Sequence, residues 1–258
     1  MVMMAFHLPF DVAMDSLKYA ASINPAKSAL YICIVLFVTA TSALSAYLIS
    51  RNRTKLRQAS LVPALLLAAG LSGADLAWTQ PYFNKPDVPF QSARTMSGLS
   101  ADAIIGGHAN LLIVVVEGMG AYADPEERQL LKSVLTKNLP EGRFNVEDGQ
   151  TYYSGSTTGA ASRELCNRWG DYIDYLTGAP TENCLPNQLD AAGYETIAFH
   201  GFTMDMFQRD KWYPRIGFQK MEFMDQLEVE QPEHFVQRCG SVFSGLCDAD
   251  VGKAVHAT

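Results

Sequence analysis

A long run of uncharged residues near the N-terminus limits what this chain can fold into more than any other feature of its sequence. The 23 residues from Ser28 to Ser50 carry no charge, and apolar side chains occur all around the helix they would form. Roughly 20 such residues, at 1.5 Å each, cross the hydrocarbon core of a bilayer. A cleaved signal peptide would have a shorter apolar core, of about 7–15 residues. Ala29 to Ser50 is therefore predicted to be a transmembrane helix.

A second apolar run suggests that the membrane anchor is a hairpin. Leu61 to Trp78 has 14 uncharged residues before Asp75. The loop between the two runs, residues 51–58, contains four basic side chains, Arg51, Arg53, Lys55 and Arg57. A basic octet can be a solvated turn, but between two apolar runs it indicates the cytoplasmic side of a membrane. We therefore expect a transmembrane hairpin over residues 29–78 with a cytoplasmic loop at 51–58.

The remaining residues are enough for one globular domain. Residues 1–28 form an N-terminal segment, residues 79–107 have the Pro, Ser, Asn and Gly content of a linker, and residues 108–258 are left for the domain. The net charge is -7 and the isoelectric point is about 5.2. Proteins that bind nucleic acid usually have a basic face and an isoelectric point above about 9. A nucleic-acid partner is therefore not expected.

Four of the five cysteines lie in the part of the chain that this topology exports. They are Cys166, Cys184, Cys239 and Cys247, whereas Cys33 lies within the first apolar run. An even number of cysteines in an exported domain favours disulfides. Three connectivities are possible, and pairing Cys166 with Cys184 and Cys239 with Cys247 closes the shortest loops. Four unpaired, small hydrophobic side chains are the alternative.

The region after residue 108 has the order of elements typical of an α/β fold. Six consecutive aliphatic residues, Leu111 to Val116, predict a parallel strand buried on both faces, beginning at Asn110. A second strand is predicted from Tyr194 to Phe199. Between them, apolar spacing and a C-terminal glycine predict helices from Pro125 to Asn138 and from Leu185 to Gly193.

A polar side chain follows each predicted strand, at the place where ligands bind in open α/β sheets. Glu117 follows the first strand and His200 follows the second. Parallel strands would place both side chains at one rim of the sheet. Glu117 can equally well begin the next loop.

A segment of small and hydroxyl residues, Tyr152 to Cys166, leads into a predicted helix. Its backbone amides and the helix N-terminus could approach an anion. It lacks the Gly-Lys-Ser/Thr of a Walker A loop, and Gly155-Ser156-Thr157-Thr158-Gly159 has threonine at the central position of a serine-hydrolase elbow. A helix N-cap explains Ser156 or Thr157 about as well as a nucleophile does.

Taken together, these segments resemble the membrane-bound, sulfatase-like branch of the alkaline phosphatase superfamily. This branch includes lipoteichoic acid synthase and the phosphoethanolamine and phosphoglycerol transferases. The resemblance covers about Asn110 to Asp250, and its most specific part is Phe199-His200-Gly201-Phe202 followed by Phe207 and Arg209. It implies an alkaline-phosphatase-like domain with a parallel-rich central sheet, incomplete at its C-terminus and preceded by the hairpin.

The resemblance also assigns roles to individual residues. Glu117 corresponds to a metal-binding carboxylate, and Thr157, nine residues before Cys166, corresponds to a nucleophile that also binds the metal. The metal would be zinc, manganese or magnesium. His200, Arg209 and Phe207 correspond to residues around the substrate phosphate, which suits the planar donor fork of arginine and the donor or shuttle role of histidine.

The activity implied is transfer of a phosphoglycerol or phosphoethanolamine group from a phospholipid to an envelope glycan or lipid, through a phosphothreonine. The enzyme would be a multi-pass protein of the bacterial inner (cytoplasmic) membrane with its globular domain outside the cytoplasm. The family's other metal ligands, an Asp-His pair and a further His, come from later strands. Since the sequence stops at Thr258, we expect a C-terminally truncated chain.

Two alternatives remain from the sequence. One is hydrolysis of a sulfate or phosphate ester, although the Cys/Ser-x-Pro-x-Arg motif of true sulfatases does not accompany Thr157. The other is a catalytically inactive membrane protein that binds anionic lipid or glycan with the part of the site it has.

Overall fold

The structure, a computed structural model, describes residues 18–19, 23, 25–26, 28–53, 66, 69–70, 90–116, 122–140, 142–151, 157–233, 235, 237–240 and 243–257. Within these residues the chain is a mixture of helices and short strands. The helices are α1 Ala29–Arg51, α2 Ala93–Met96, α3 Ala101–Gly107, α4 Pro125–Thr136, α5 Thr157–Cys166, α6 Tyr172–Leu176, α7 Leu185–Ala191, α8 Arg209–Trp212, α9 Met224–Glu230 and α10 Asp248–Ala257. Two 3₁₀ turns, Met206–Gln208 and Pro214–Ile216, flank α8.

The strands among the described residues form two small sheets. They are β1 Ile197–His200, β2 Lys220–Phe223, β3 Arg238–Cys239 and β4 Gly245–Leu246. β1 and β2 are parallel, with Ile197 opposite Lys220 and His200 opposite Phe223. β3 and β4 are antiparallel. A small parallel sheet with helices agrees with the predicted α/β class. The second predicted strand begins three residues later and ends one residue later than expected.

The chain divides into two compact units. The helical unit comprises residues 86–196 and 211–219, and the strand unit comprises residues 1–85, 197–210 and 220–258. Each unit has its own buried apolar cluster.

Helix α1 matches the predicted transmembrane helix, within one residue at its C-terminal end. It is the one helix among the described residues that is long and apolar enough to cross a membrane, and its apolar side chains are exposed. The hydroxyls of Thr39 and Ser45 donate to carbonyls four residues earlier, at 2.8 Å each. These bonds satisfy the two hydroxyl groups within the helix itself. The second apolar run, Leu61 to Trp78, lies outside the described residues except for Leu66, Ala69 and Gly70.

The core of the helical unit joins two segments that are distant in sequence. Ala101 and Ile104 of α3 pack with Leu185 and Leu189 of α7. The segment predicted as a linker, residues 79–107, therefore contributes α2 and α3 to this unit. After α7 the chain turns at Gly193, whose φ of +87° favours glycine, as the predicted C-terminal cap requires.

Arg94 of α2 ties the helical unit together around a disulfide. Its guanidinium donates to the carbonyls of Leu165 at 3.3 Å and Asn183 at 3.0 Å. These residues directly precede Cys166 and Cys184, which are bonded to each other and almost fully buried. Burial lowers the pKa of Arg94.

The prediction of a strand over residues 110–116 is wrong. Residues 110–116 are not in a strand, and Leu112 and Val114 are 69% and 72% exposed. Leu111 alone packs against the core of the helical unit. An aliphatic run specifies burial, but a strand also needs a neighbour to pair its N–H and C=O groups, and the run does not encode that neighbour.

The core of the strand unit lies between α9, α10 and the β3–β4 hairpin. Its buried members are Leu227, Phe235, Leu246 and Ala254. Phe199 of β1 packs against this cluster. The cluster thereby fixes the carboxyl end of β1, where His200 lies.

Candidate functional site

The predicted nucleophile, Thr157, is the first residue of α5. Thr157 is partly exposed, whereas its neighbour Thr158 is 1% exposed. The Thr158 hydroxyl donates a 2.7 Å hydrogen bond to Oδ1 of Asp171. The Thr158 hydroxyl is thus used in a buried hydrogen bond. Thr157 is the more exposed threonine of the pair and the one that a substrate could reach.

Asp171 holds the first turns of two helices together. The Oδ1 atom that accepts from Thr158 also accepts the N–H of Tyr172, at 2.7 Å, at the start of α6. The N–H of Asp171 donates to Oδ2 of Asp174, and the N–H of Asp174 donates to the Asp171 side chain, so the two aspartates form a capping box. The position of Thr157 therefore depends on α6 as well as on its own helix.

A second polar contact joins the same helices one turn further along α5. The hydroxyls of Ser162 and Tyr175 are 2.6 Å apart and both residues are almost fully buried. The Tyr175 ring stacks on the indole of Trp212, with centroids 5.5 Å apart. Burial is the main cause of a raised pKa for Tyr175, so its phenol stays protonated at neutral pH.

His200 ends β1 and is held as a neutral imidazole. Its Nδ1 accepts a 3.0 Å hydrogen bond from the N–H of Phe202. Burial, and secondarily the charge of Arg209, lower the pKa of His200 to about 4. A neutral imidazole that accepts at Nδ1 carries its proton on Nε2. His200 can therefore donate one hydrogen bond to an anion through Nε2.

Arg209 brings a buried positive charge to the same part of the strand unit. It begins α8 and is 3% exposed. Its guanidinium lies over the Phe207 ring, 5.4 Å from the centroid, which favours a cation–π interaction. The three predicted substrate-binding residues, His200, Phe207 and Arg209, thus belong to one local arrangement.

The backbone before Arg209 is strained. Phe207 and Gln208 have φ values of +57° and +51°, a left-handed conformation that costs a residue other than glycine roughly 1–3 kcal/mol. Such strain persists only where the surrounding contacts enforce it. The strained residues directly precede Arg209, so this segment positions the Arg209 side chain.

The predicted metal site cannot be built from the described residues. Glu117 lies outside them, as does the loop 152–156 before Thr157. Within the part of the chain that the structure describes, no cluster of three or more His, Cys, Asp or Glu side chains could hold a metal ion. A stable zinc site takes about three or four protein ligands, so Thr157 alone does not form one.

The predicted nucleophile and the predicted phosphate-binding residues occur in different units. Thr157 belongs to the helical unit, and His200, Phe207 and Arg209 belong to the strand unit. Sequence reasoning missed Asp171, although Asp171 and Asp174 have the spacing of a capping box immediately before a short apolar segment.

The cysteines are paired as the shortest loops favour. Cys166 is bonded to Cys184 and Cys239 to Cys247. Cys33, in α1, is a free thiol.

Comparison of the chain with protein-family models, with curated proteins and with solved structures gave no significant match.

Proposed function

We propose that this chain is a membrane-anchored transferase that moves a phosphoglycerol or phosphoethanolamine group from a phospholipid to an envelope glycan or lipid. The observation that supports this most is that the charge of the buried Arg209 reaches His200 and helps to lower its pKa. A guanidinium and a neutral imidazole that can donate from Nε2 are suited to a phosphate diester. The proposal includes an alkaline-phosphatase-like fold and a multi-pass anchor in the bacterial inner membrane.

The reaction would proceed in two displacements at phosphorus. The Thr157 oxygen attacks the headgroup phosphorus, the bond from phosphorus to the diacylglycerol oxygen breaks, and the proton of Thr157 leaves with diacylglycerol. An acceptor hydroxyl then attacks the phosphothreonine and returns a proton to Thr157. Both steps need hydrogen-bond donors for the non-bridging oxygens, and this is the role that the resemblance gives to Arg209 and His200.

The anchor would supply the donor at high local concentration. A chain held in the bilayer by α1 meets phospholipid without a separate binding step from solution. Metal dependence, through Glu117 and Thr157 with zinc, manganese or magnesium, remains a prediction from the resemblance. A bound divalent ion would favour the alkoxide form of Thr157.

The nucleophile is tested by following the headgroup. The full chain in lipid nanodiscs is given phosphatidylglycerol or phosphatidylethanolamine with an isotope-labelled headgroup, each with divalent metal. We expect the label on a peptide containing Thr157, and we expect its loss in Thr157→Ala. Thr158→Ser, which keeps the buried hydroxyl, is the matched control and should retain labelling. Labelling that survives Thr157→Ala would refute the assignment.

The two alternative functions give different products in the same assay. An ester hydrolase would release the labelled headgroup to water without an acceptor. A catalytically inactive protein would bind anionic headgroups, with loss of binding in Arg209→Gln, but would show no label on Thr157. Transfer to an added glycan or lipid acceptor distinguishes the proposed transferase from both.

A further inference from the structure

A disulfide-closed hairpin lies directly against the residue that follows His200. Strands β3 and β4 form this hairpin, and the bond between Cys239 and Cys247 closes its base. The N–H of Leu246 donates a 2.6 Å hydrogen bond to the carbonyl of Gly201. The turn after β1 is thus bonded to the β3–β4 hairpin.

The two backbones approach closely because both contact residues are glycines. A Cβ on Gly245 would lie 2.5 Å from the carbonyl oxygen of Gly201. A Cβ on Gly201 would lie 3.1 Å from the carbonyl oxygen of Leu246. Any side chain at Gly245 would therefore push the hairpin away from Gly201.

The hairpin is also fixed by apolar contacts on both sides. Leu246 is 4% exposed in the core of the strand unit, and the ring of Phe243 packs on that of Phe202, with centroids 5.7 Å apart. The N–H of Phe202 is the group that bonds Nδ1 of His200. The hairpin thus contacts residues 201 and 202, and residue 202 orients the imidazole.

We propose that Gly245 and the Cys239–Cys247 disulfide are positioning elements for His200. The disulfide keeps the hairpin closed, Gly245 lets its backbone reach Gly201, and the partly buried His200 ring is thereby held against the Phe202 amide. The proposal rests on the proposed function only in regarding His200 as a phosphate-binding residue. Neither Gly245 nor the disulfide would touch the substrate.

The effect of the hairpin on His200 can be measured, without any catalytic assay, from the pH at which the imidazole titrates. The imidazole C–H signals of the full chain in detergent micelles are titrated by NMR, and His200→Asn identifies the signal of residue 200. We expect a midpoint near 4 in the unsubstituted chain, because burial and Arg209 oppose protonation. Gly245→Ala should move the midpoint at least one unit toward the ordinary value for histidine.

The matched control is a glycine-to-alanine substitution at a position that has room for the added Cβ. Gly252 lies in α10, and a Cβ there would have no heavy atom within 4 Å. Gly252→Ala should leave the His200 midpoint unchanged. An unchanged midpoint in Gly245→Ala would overturn the proposal.

Reduction provides a second arm, needed if Gly245→Ala does not fold. A phosphine reductant opens Cys239–Cys247, and alkylation and mass spectrometry of an aliquot identify the opened pair. In the sample that is not alkylated, the His200 midpoint should rise and then return on reoxidation. A midpoint that is the same with this disulfide open and closed would overturn the proposal.

Binding of inorganic phosphate separates this inference from the proposed function. We expect Gly245→Ala to weaken phosphate binding about tenfold together with the shift in the His200 midpoint. Phosphate binding that is absent in the unsubstituted chain, with the midpoint still shifted by Gly245→Ala, would support the positioning and overturn the phosphate role of His200. Normal binding and an unshifted midpoint in Gly245→Ala would overturn the positioning alone.

Discussion

The hydroxyl of Thr158 and the carboxylate of Asp171 form a hydrogen bond of 2.7 Å between the first turns of α5 and α6. Thr158 is almost completely buried, so its hydroxyl cannot exchange this acceptor for bulk water. A buried polar group left without a partner costs about 1–3 kcal/mol. The start of α5, where Thr157 lies, is therefore stabilised by a contact from outside the helix.

Replacing Thr158 by valine should lower the free energy of unfolding by about 1–3 kcal/mol, because the shape is kept and the donor to Asp171 is lost. Thr158→Ser keeps the hydroxyl and should cost less. Urea denaturation of both variants, followed by circular dichroism, measures the difference. Equal stability of the valine and serine variants would contradict the importance of this bond.

The neutral state of His200 should make the protein sensitive to mild acid. Unfolded histidine titrates near 6.5, whereas the folded pKa is about 4, so the unfolded state binds more protons between these values. The stability that depends on a neutral His200 is fully present above pH 6.5. It is lost as the pH falls toward 4, by up to about 3 kcal/mol.

This loss is measured by comparing stability from pH 7 to pH 4 in the unsubstituted chain and in His200→Asn. The asparagine variant, whose side chain does not titrate, should show a flatter decline. Parallel curves for the two proteins would mean that His200 is protonated at its ordinary pKa in the folded state.

Glu222 of β2 should be a destabilising residue at neutral pH. Burial, then repulsion from Glu230, raise the pKa of its carboxyl group, while Lys220 partly opposes this. Its Oε2 atom is buried and has no hydrogen-bond partner among the described residues. The folded state binds this proton more tightly than the unfolded state does. The penalty is therefore present above the folded pKa and absent at acid pH.

Glu222→Gln should therefore raise the free energy of unfolding at pH 7, and the gain should disappear below about pH 4. Glu230→Gln is the matched control. It removes only the repulsion from an exposed side chain and should give a smaller gain. Thermal unfolding of the three proteins at pH 7 and pH 3.5 checks both statements, and a loss of stability in Glu222→Gln at pH 7 would contradict them.

The two disulfides should differ in their accessibility to reductant. Cys166 and Cys184 are 1% and 0% exposed, whereas Cys239 is exposed. Thiol–disulfide exchange needs access to a sulfur atom, so Cys239–Cys247 should open first. Graded reduction, alkylation and peptide mapping give the order directly. Opening of Cys166–Cys184 at lower reductant concentration would be the opposite of this expectation.

The sequence predicted those elements whose signals are local. The uncharged run predicted α1, the small-residue segment predicted α5, and apolar spacing with Gly193 predicted α7, because each pattern is contained within the element. Residues 110–116 show the limit, since six aliphatic side chains indicate burial without encoding a neighbouring strand.

The sequence names candidate site residues but does not predict what surrounds them. His200, Phe207 and Arg209 come from the resemblance along one segment, and their roles stay predictions. A contact from elsewhere in the chain reaches this segment, since Gly245, which lies against Gly201, is 44 residues beyond it in the sequence. The spacing of residues along the sequence does not predict a contact between two glycines this far apart.

The two apolar clusters also occupy separate ranges of the sequence, so their residues are translated one cluster after the other. One cluster, with the residues packed on it, lies between Leu99 and Tyr194, and the other lies between Phe199 and Ala254. Since proteins are made from the N-terminus and domains fold in that order, the first cluster and the Cys166–Cys184 bond have all their residues before β1 is translated. The first of the two cores can therefore assemble and become oxidised while the residues of the second are still unmade.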